Sequence, residues 1–153
     1  MVKIYFKKTS EDAILPASSD PEAAAFDLYS NENVTLFNGD IRTVDTGLIL
    51  ANVESDTDYD FFLQIEGRSG LAIKRLVPLG GIIDLNYRGP IKVILHNLYC
   101  YPEGAVTHNI KKGDRIAQLI IKRTVPPMKA TFCETDNISP STRGSNGFGS
   151  TGK

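Results

Sequence analysis

The feature that most restricts this chain is an apolar alternation of period two, cut into short runs by glycine, proline, asparagine and aspartate. In "YDFFLQIE", Tyr59, Phe61, Leu63 and Ile65 fall on one face, and Asp60, Phe62, Gln64 and Glu66 on the other, less apolar one. In "IKVILHNL", Ile91, Val93 and Leu95 oppose Lys92, Ile94 and His96. A change of face at every residue is strand geometry. "VKIYF", "VTLF", "TVDTGLILA", "GGIID" and "RIAQLIIKR" read as further short strands. Many short strands with regular turn signals predict an all-β sandwich or barrel. Only "RSGLAIKRL" reads as helix, with Ser69 as its N-cap. From Pro126 onward the alternation fades into an extended "PPMKATFCETDNISPST" and then a glycine-rich tail. There is no internal repeat and no sign of a second domain.

At 153 residues the chain is long enough for one real core. Some strands, "RIAQLII" and "IKVIL" among them, are apolar on both sides. That pattern fits a second buried surface between subunits, and equally a well-covered monomeric core. The net charge of −1 argues against a general nucleic-acid or membrane binder, leaving only a local patch open. Cys100 and Cys133 give no disulfide framework and no zinc spacing, and leave a single bridge open. The polar start "MVKIYFKKTS" is no signal peptide, and no apolar run approaches the ~18 residues of a membrane span. The expectation is a soluble intracellular protein. The acidic run "ESDTDYD", residues 54 to 60, reads as a solvated loop.

Four stretches carry residues fit for chemistry. The tail "RGSNGFGSTGK", residues 143 to 153, matches part of a phosphate-binding loop, but the chain stops where a helix would have to begin. A glycine-rich end is usually disordered. This one also holds Arg143, able to pair bidentately with phosphate. Ser145, Ser150, Thr151 and glycine amides are neutral donors, and Phe148 can stack on a base. These are the parts of a lid over a nucleotide. In "EGRSGLA", a helix starting near Ser69 would aim the Gly70 and Leu71 amides at an anion beside Arg68; an ordinary capped helix is the plainer reading. In "GGIIDLNYRGPIKVILHN", two strands flank a bend and predict a hairpin. Asp84 stands where the first strand ends and Tyr87 at the bend. A carboxylate there could take a proton from water, or be a simple turn aspartate. In "KKGDRIAQLII", Gln118 is a polar residue inside an apolar run.

Each stretch alone is weak. Together, "AAAFDLYS", "GRSGLA", "GGIIDLNYRG", "GDRIAQLI" and "RGSNGFGSTG" closely resemble the five motifs of the homotrimeric deoxyuridine triphosphatase (dUTPase) family. They stand in the family's order across nearly the whole chain. The departures are Ala25-Phe26 for Gly-Tyr, Gly67 for Pro, Leu85 and Asn86 after the aspartate of the third motif, and Asn146 for Gly. None removes a catalytic group.

The resemblance implies a jelly-roll-like β-barrel over residues 1–142, a flexible C-terminal arm over 143–153, and a homotrimer whose sites are shared between subunits. It implies hydrolysis of dUTP to dUMP and pyrophosphate by water attack on the α-phosphorus, which keeps uracil out of DNA and supplies dUMP. Asp84 would be the general base. Asp27 would hold the hydration shell of Mg²⁺, a cation that prefers phosphate oxygens and water to a protein cage. Arg68, Ser69, Gly70 and Gln118 would hold phosphates. Backbone groups of Gly81 and Lys92 would pair with uracil, and Tyr87 would lie against the deoxyribose where a ribose 2′-OH would need room. Arg143, Gly149, Ser150 and Thr151 would close on the distal phosphates, with Phe148 over the base. The competing readings are a dCTP deaminase on the same fold, a nucleotide-gated binding trimer, and a purely structural β-rich trimer. The deaminase's glutamate motif is missing, and Asp84, Tyr87, Arg143 and Phe148 together disfavour a structural protein.

Overall fold

Among the described residues the alternation resolves into ten antiparallel strands. The computed structural model describes residues 1–18, 20–98, 106–125 and 130–141. The strands are β1 (Val2–Lys8), β2 (Phe26–Tyr29), β3 (Val34–Leu36), β4 (Ile41–Ser55), β5 (Phe61–Glu66), β6 (Leu76–Leu79), β7 (Ile82–Ile83), β8 (Pro90–Asn97), β9 (His108–Ile110) and β10 (Arg115–Arg123). One sheet has the order β1-β4-β8-β6, a second β2-β10-β5-β7, and β3 pairs with β9. Consecutive strands repeatedly change sheet, so the chain wraps one interior. Along β5 and β8 the burial alternates residue by residue, with Phe61, Leu63, Ile65, Ile91, Val93 and Leu95 inward. Leu28, Leu50, Leu63, Val93 and Leu119, drawn from both four-stranded sheets, join one apolar cluster. Each such side chain contributes roughly 1.5–3 kcal/mol on burial.

β4 serves two neighbours. Its first half pairs with β8, its second with β1, and the register breaks between Asp45 and Leu48. Gly47 sits in that break at φ 71°. A Cβ there would lie 2.8 Å from Ala13 Cβ and from Asn31 Cγ. Only glycine meets both demands.

Two sequence expectations need correction. The helix α1 spans only Ser69–Ala72, and its N-cap position is Arg68, without a side-chain cap. Ser69 is the first helical residue. The run then turns through Arg75 at φ 66° and becomes β6. Ile73 is 86% exposed, whereas Leu71 packs against the core cluster and Leu76 is buried as the first residue of β6, so the apolar residues of the run do not share one helix face. The hairpin at 80–97 is not one either. β7 pairs with β5 in one sheet, whereas β8 pairs with β4 and β6 in the other. The chain crosses between sheets at Gly80-Gly81 and returns through an arch at 84–89, because β6 and β8 form the hydrogen-bonded pair instead.

The acidic run is more than a solvated loop. Arg123 lies 3.9 Å over the Tyr59 ring, which packs edge-on against Phe61. Residues 130–141 form no helix or strand and are exposed. Cys133 is free and exposed; Cys100 lies outside the described residues. Among the described residues, no helix is long and apolar enough to cross a membrane.

Candidate active site

The structure gathers the predicted residues into two groups. The first forms where β2, β10 and the end of β5 meet. Leu28 turns into the core, which leaves Asp27 on the opposite face of β2. Asp27 stands opposite Gln118, which in turn stands opposite Glu66. Arg68 Nε lies 3.0 Å from Asp27 Oδ1 as an ion pair, and Arg115 Nη1 donates to Asp27 Oδ2 at 3.3 Å. Arg68 Nη1 also donates to the Arg115 carbonyl at 3.1 Å. Gln118 Nε2 donates to the Gly67 carbonyl at 3.1 Å, tying β10 to the start of the Arg68 turn. Gln118 is therefore half-buried and engaged, not a loose polar residue on a solvated face. Ser69 and Gly70 follow at the rim, where a Cβ on Gly70 would meet open space. The Leu71 amide is not free, since it donates to the Arg68 carbonyl at 3.0 Å. Gly67 has its own reason: a Cβ there would stand 3.1 Å from Pro78 Cδ, so the space beside it is already filled from β6.

The second group lines a cavity of about 530 Å³ between the β6–β7 crossing and β8, with Gly81, Ile83, Asp84, Tyr87, Ile91 and Lys92 on its walls. Gly81 has φ 118°, and a Cβ on it would sit 2.6 Å from the Ile65 carbonyl oxygen. Its own carbonyl accepts from the Ile65 N–H at 2.8 Å. On the opposite wall, β6 stops pairing with β8 at Leu79 and Ile94. The edge of β8 from Pro90 to Val93 is therefore open on that side. The Ile91 carbonyl is taken by the Thr46 hydroxyl at 2.7 Å, from the β4 side. Successive residues of a strand turn their backbone groups to opposite edges, so Lys92 turns its N–H and C=O toward the open edge. The cavity thus offers backbone hydrogen-bonding groups in an apolar slot.

The arch holds Asp84 and Tyr87. The Tyr87 amide donates to the Asp84 carbonyl at 3.0 Å, and the Tyr87 hydroxyl donates to the Pro90 carbonyl at 3.3 Å. The ring covers Gly89, where a Cβ would run into it. Arg88 Nη1 donates to the Leu85 and Tyr87 carbonyls at 2.7 and 2.9 Å. Leu85 packs against the core cluster and anchors the arch from below. Asp84 is exposed. It lines both the slot and a neighbouring cavity of about 650 Å³ bounded by Phe62, Ile82 and Leu85. Water and a ligand can reach it from separate sides.

The two groups line different cavities: Arg68 and Arg115 border a third, of about 360 Å³, with Lys74 and His108. Arg143, Phe148, Gly149, Ser150 and Thr151 lie outside the described residues, as does Asn146. Sequence reasoning missed Arg115, Arg88 and Thr46. Arg115 stood inside a recognised motif, and its position three before Gln118 was the available signal.

The chain is thus an all-β jelly-roll-like barrel that carries a backbone-lined slot and a separate carboxylate–guanidinium cluster. The family model described as dUTPase matches residues 11–152. A deoxyuridine 5'-triphosphate nucleotidohydrolase of Nautilia profundicola is 38% identical over 99% of this chain and all of its own length. One from Wolinella succinogenes is 40% identical, covering 99% of this chain and 95% of the relative. The Staphylococcus bacteriophage 80alpha dUTPase with dUPNHPP superposes with a TM-score of 0.78 at 24% identity, covering 99% of both chains. A dUTPase mutant from phage phi11 of S. aureus, described with a structural Mg(II) ion, gives 0.70 at 21% identity over 90% of this chain and 99% of its own. This chain belongs to the dUTPase family.

Proposed function

We propose that this protein hydrolyses dUTP to dUMP and pyrophosphate, with uracil in the slot and the triphosphate running toward Arg68. The observation that carries the reading is Asp84. It is a solvent-reachable carboxylate at the mouth of a slot whose far wall presents strand-edge backbone groups. A backbone N–H that meets uracil O4 finds an acceptor, whereas the cytosine amino group would leave two donors face to face. Tyr87, braced on Pro90 and lying over Gly89, takes the space beside the sugar. Asp84 accepts the proton of a water that attacks the α-phosphorus, and the bridging oxygen leaves with pyrophosphate.

Arg68, Ser69, Gly70 and Gln118 bind and orient the phosphates. Gln118 does part of this indirectly, by fixing Gly67. Asp27 is a single half-buried carboxylate that already pairs with Arg68 and Arg115, and among the described residues no three His, Cys, Asp or Glu side chains group into a metal cage. Such a donor set fits a hard cation that keeps its waters and arrives on phosphate oxygens, as Mg²⁺ does. When bound, Mg²⁺ supplies charge neutralisation at the phosphate oxygens. Arg143, Gly149, Ser150 and Thr151 close over the distal phosphates and Phe148 over the base, excluding water.

The same reading takes the assembly to be a homotrimer with shared sites. Two observations support it. The phosphate-binding and uracil-binding groups line different cavities of one chain. Ile82, on the slot's rim, is 71% exposed for a β-branched apolar residue beside a proposed active site. The test of function is pyrophosphate release from dUTP, dCTP, dTTP and UTP side by side. Release from dUTP alone is expected. Orthophosphate and dUDP as products, or equal rates with dCTP, would defeat the reading.

A further inference from the structure

The proposed phosphate-binding arginine is already paired in the free protein. Arg68 Nε is ion-paired with Asp27 at 3.0 Å, and a full carboxylate opposite a guanidinium normally takes both arms of the fork. Here it does not, because Arg115 approaches the second carboxylate oxygen. One negative charge is divided between two cations. Asp27 is 21% exposed, Arg68 27% and Arg115 52%, so Arg115 is the outer partner and Arg68 the inner one. The trio carries a net positive charge, and Arg68 keeps donors that Asp27 does not use. Its Nη1 is steered onto the Arg115 carbonyl, which fixes the plane of the guanidinium.

We infer that Arg115 is a positioning residue for the triphosphate end of the site: by holding Asp27 Oδ2, it stops the Asp27 carboxylate from closing over Arg68. This rests on the functional reading above and deepens it. Without the Arg115 guanidinium, the whole carboxylate turns to Arg68. Its fork is then occupied and its charge cancelled, and an incoming phosphate has to compete with Asp27. The Arg115 side chain need never touch the nucleotide. Its effect is confined to ligands that carry distal phosphates.

The experiment is calorimetric binding of a non-hydrolysable imido analogue of dUTP, without and with Mg²⁺, and of dUMP as the short control. Arg115→Ala should weaken metal-free analogue binding about three- to tenfold, on the scale of one charged contact, and leave dUMP binding unchanged. Arg115→Lys should recover most of the loss. In an Asp27→Asn background, Arg115→Ala should change analogue affinity less than twofold, since no carboxylate remains to restrain. Equal losses for dUMP and the analogue would make Arg115 merely structural. Equal losses with and without the Asp27 carboxylate would mean that Arg115 acts on the ligand directly. Either result overturns the inference. Failure of the parent protein to bind the analogue at all would instead overturn the functional reading. If Arg115→Ala melts early, Arg115→Gln keeps the side-chain length and carries the same expectations.

Discussion

At the scale of single residues, the account turns on Asp84. Its carboxylate is exposed and shared by two cavities, while the arch that carries it is held by Arg88 and Leu85. Asp84→Asn keeps the shape of the arch and removes the base. Turnover should fall by about 10² or more while analogue binding stays within a few-fold. Steady-state kinetics beside calorimetry check this, and turnover within twofold of the parent would remove Asp84 from the role. In the tail, Phe148→Ala should cost about 1 kcal/mol of transition-state stabilisation. Arg143→Ala should cost more, since a desolvated phosphate loses a charged partner. The reverse order in kcat/KM would mean that stacking, not phosphate clamping, is the tail's main contribution. Asp84, Tyr87, Arg68 and Gln118 were nameable as candidates only through the resemblance of their stretches, taken together, to the family's five motifs. The Asp27–Arg115 pair was not, since its members are 88 residues apart and meet only through the β2–β10 ladder.

At the scale of elements, the strands were readable where partner and pattern were local to the strand itself. Phe61, Leu63 and Ile65 alternate inward because one face of β5 is core. The arch was misread because strand pairing is decided by distant segments: β8 chose β4 and β6, leaving β7 to β5. The same physics cut the expected helix to one turn, because Leu76 enters the sheet and Ile73 turns to solvent, which leaves only Leu71 to pack on the core. The two glycines with tight surroundings test this picture. Gly47→Ala places a methyl against Ala13 and Asn31 at positive φ, and should lower stability by about 1–3 kcal/mol. Gly81→Ala should do the same and also close the slot, raising KM for dUTP. Denaturant unfolding separates the two effects; an unchanged midpoint for Gly47→Ala would show that the β4 break is pliable. Deleting residues 143–153 should leave the melting temperature of the barrel unchanged. It should cut turnover by roughly 10² or more, since orienting the phosphate chain can contribute several kcal/mol. Full turnover in the truncated chain would end the lid proposal.

At the scale of the whole molecule, one chain presents the two halves of the proposed site in different cavities, beside exposed apolar residues such as Ile82. In solution the assembly should have about three times the 16.8 kDa mass of one chain. Mixing Asp84→Asn chains with Arg68→Ala chains should restore activity if a site draws on more than one subunit, and should restore none if each chain completes its own. The central claim, though, is chemical: water, with its proton taken by Asp84, attacks the α-phosphorus of dUTP. The most direct measurement is turnover of dUTP in isotopically labelled water, followed by mass analysis of both products. One labelled oxygen in dUMP and none in pyrophosphate is the predicted result. Label in pyrophosphate would place the attack on the β-phosphorus and contradict the account.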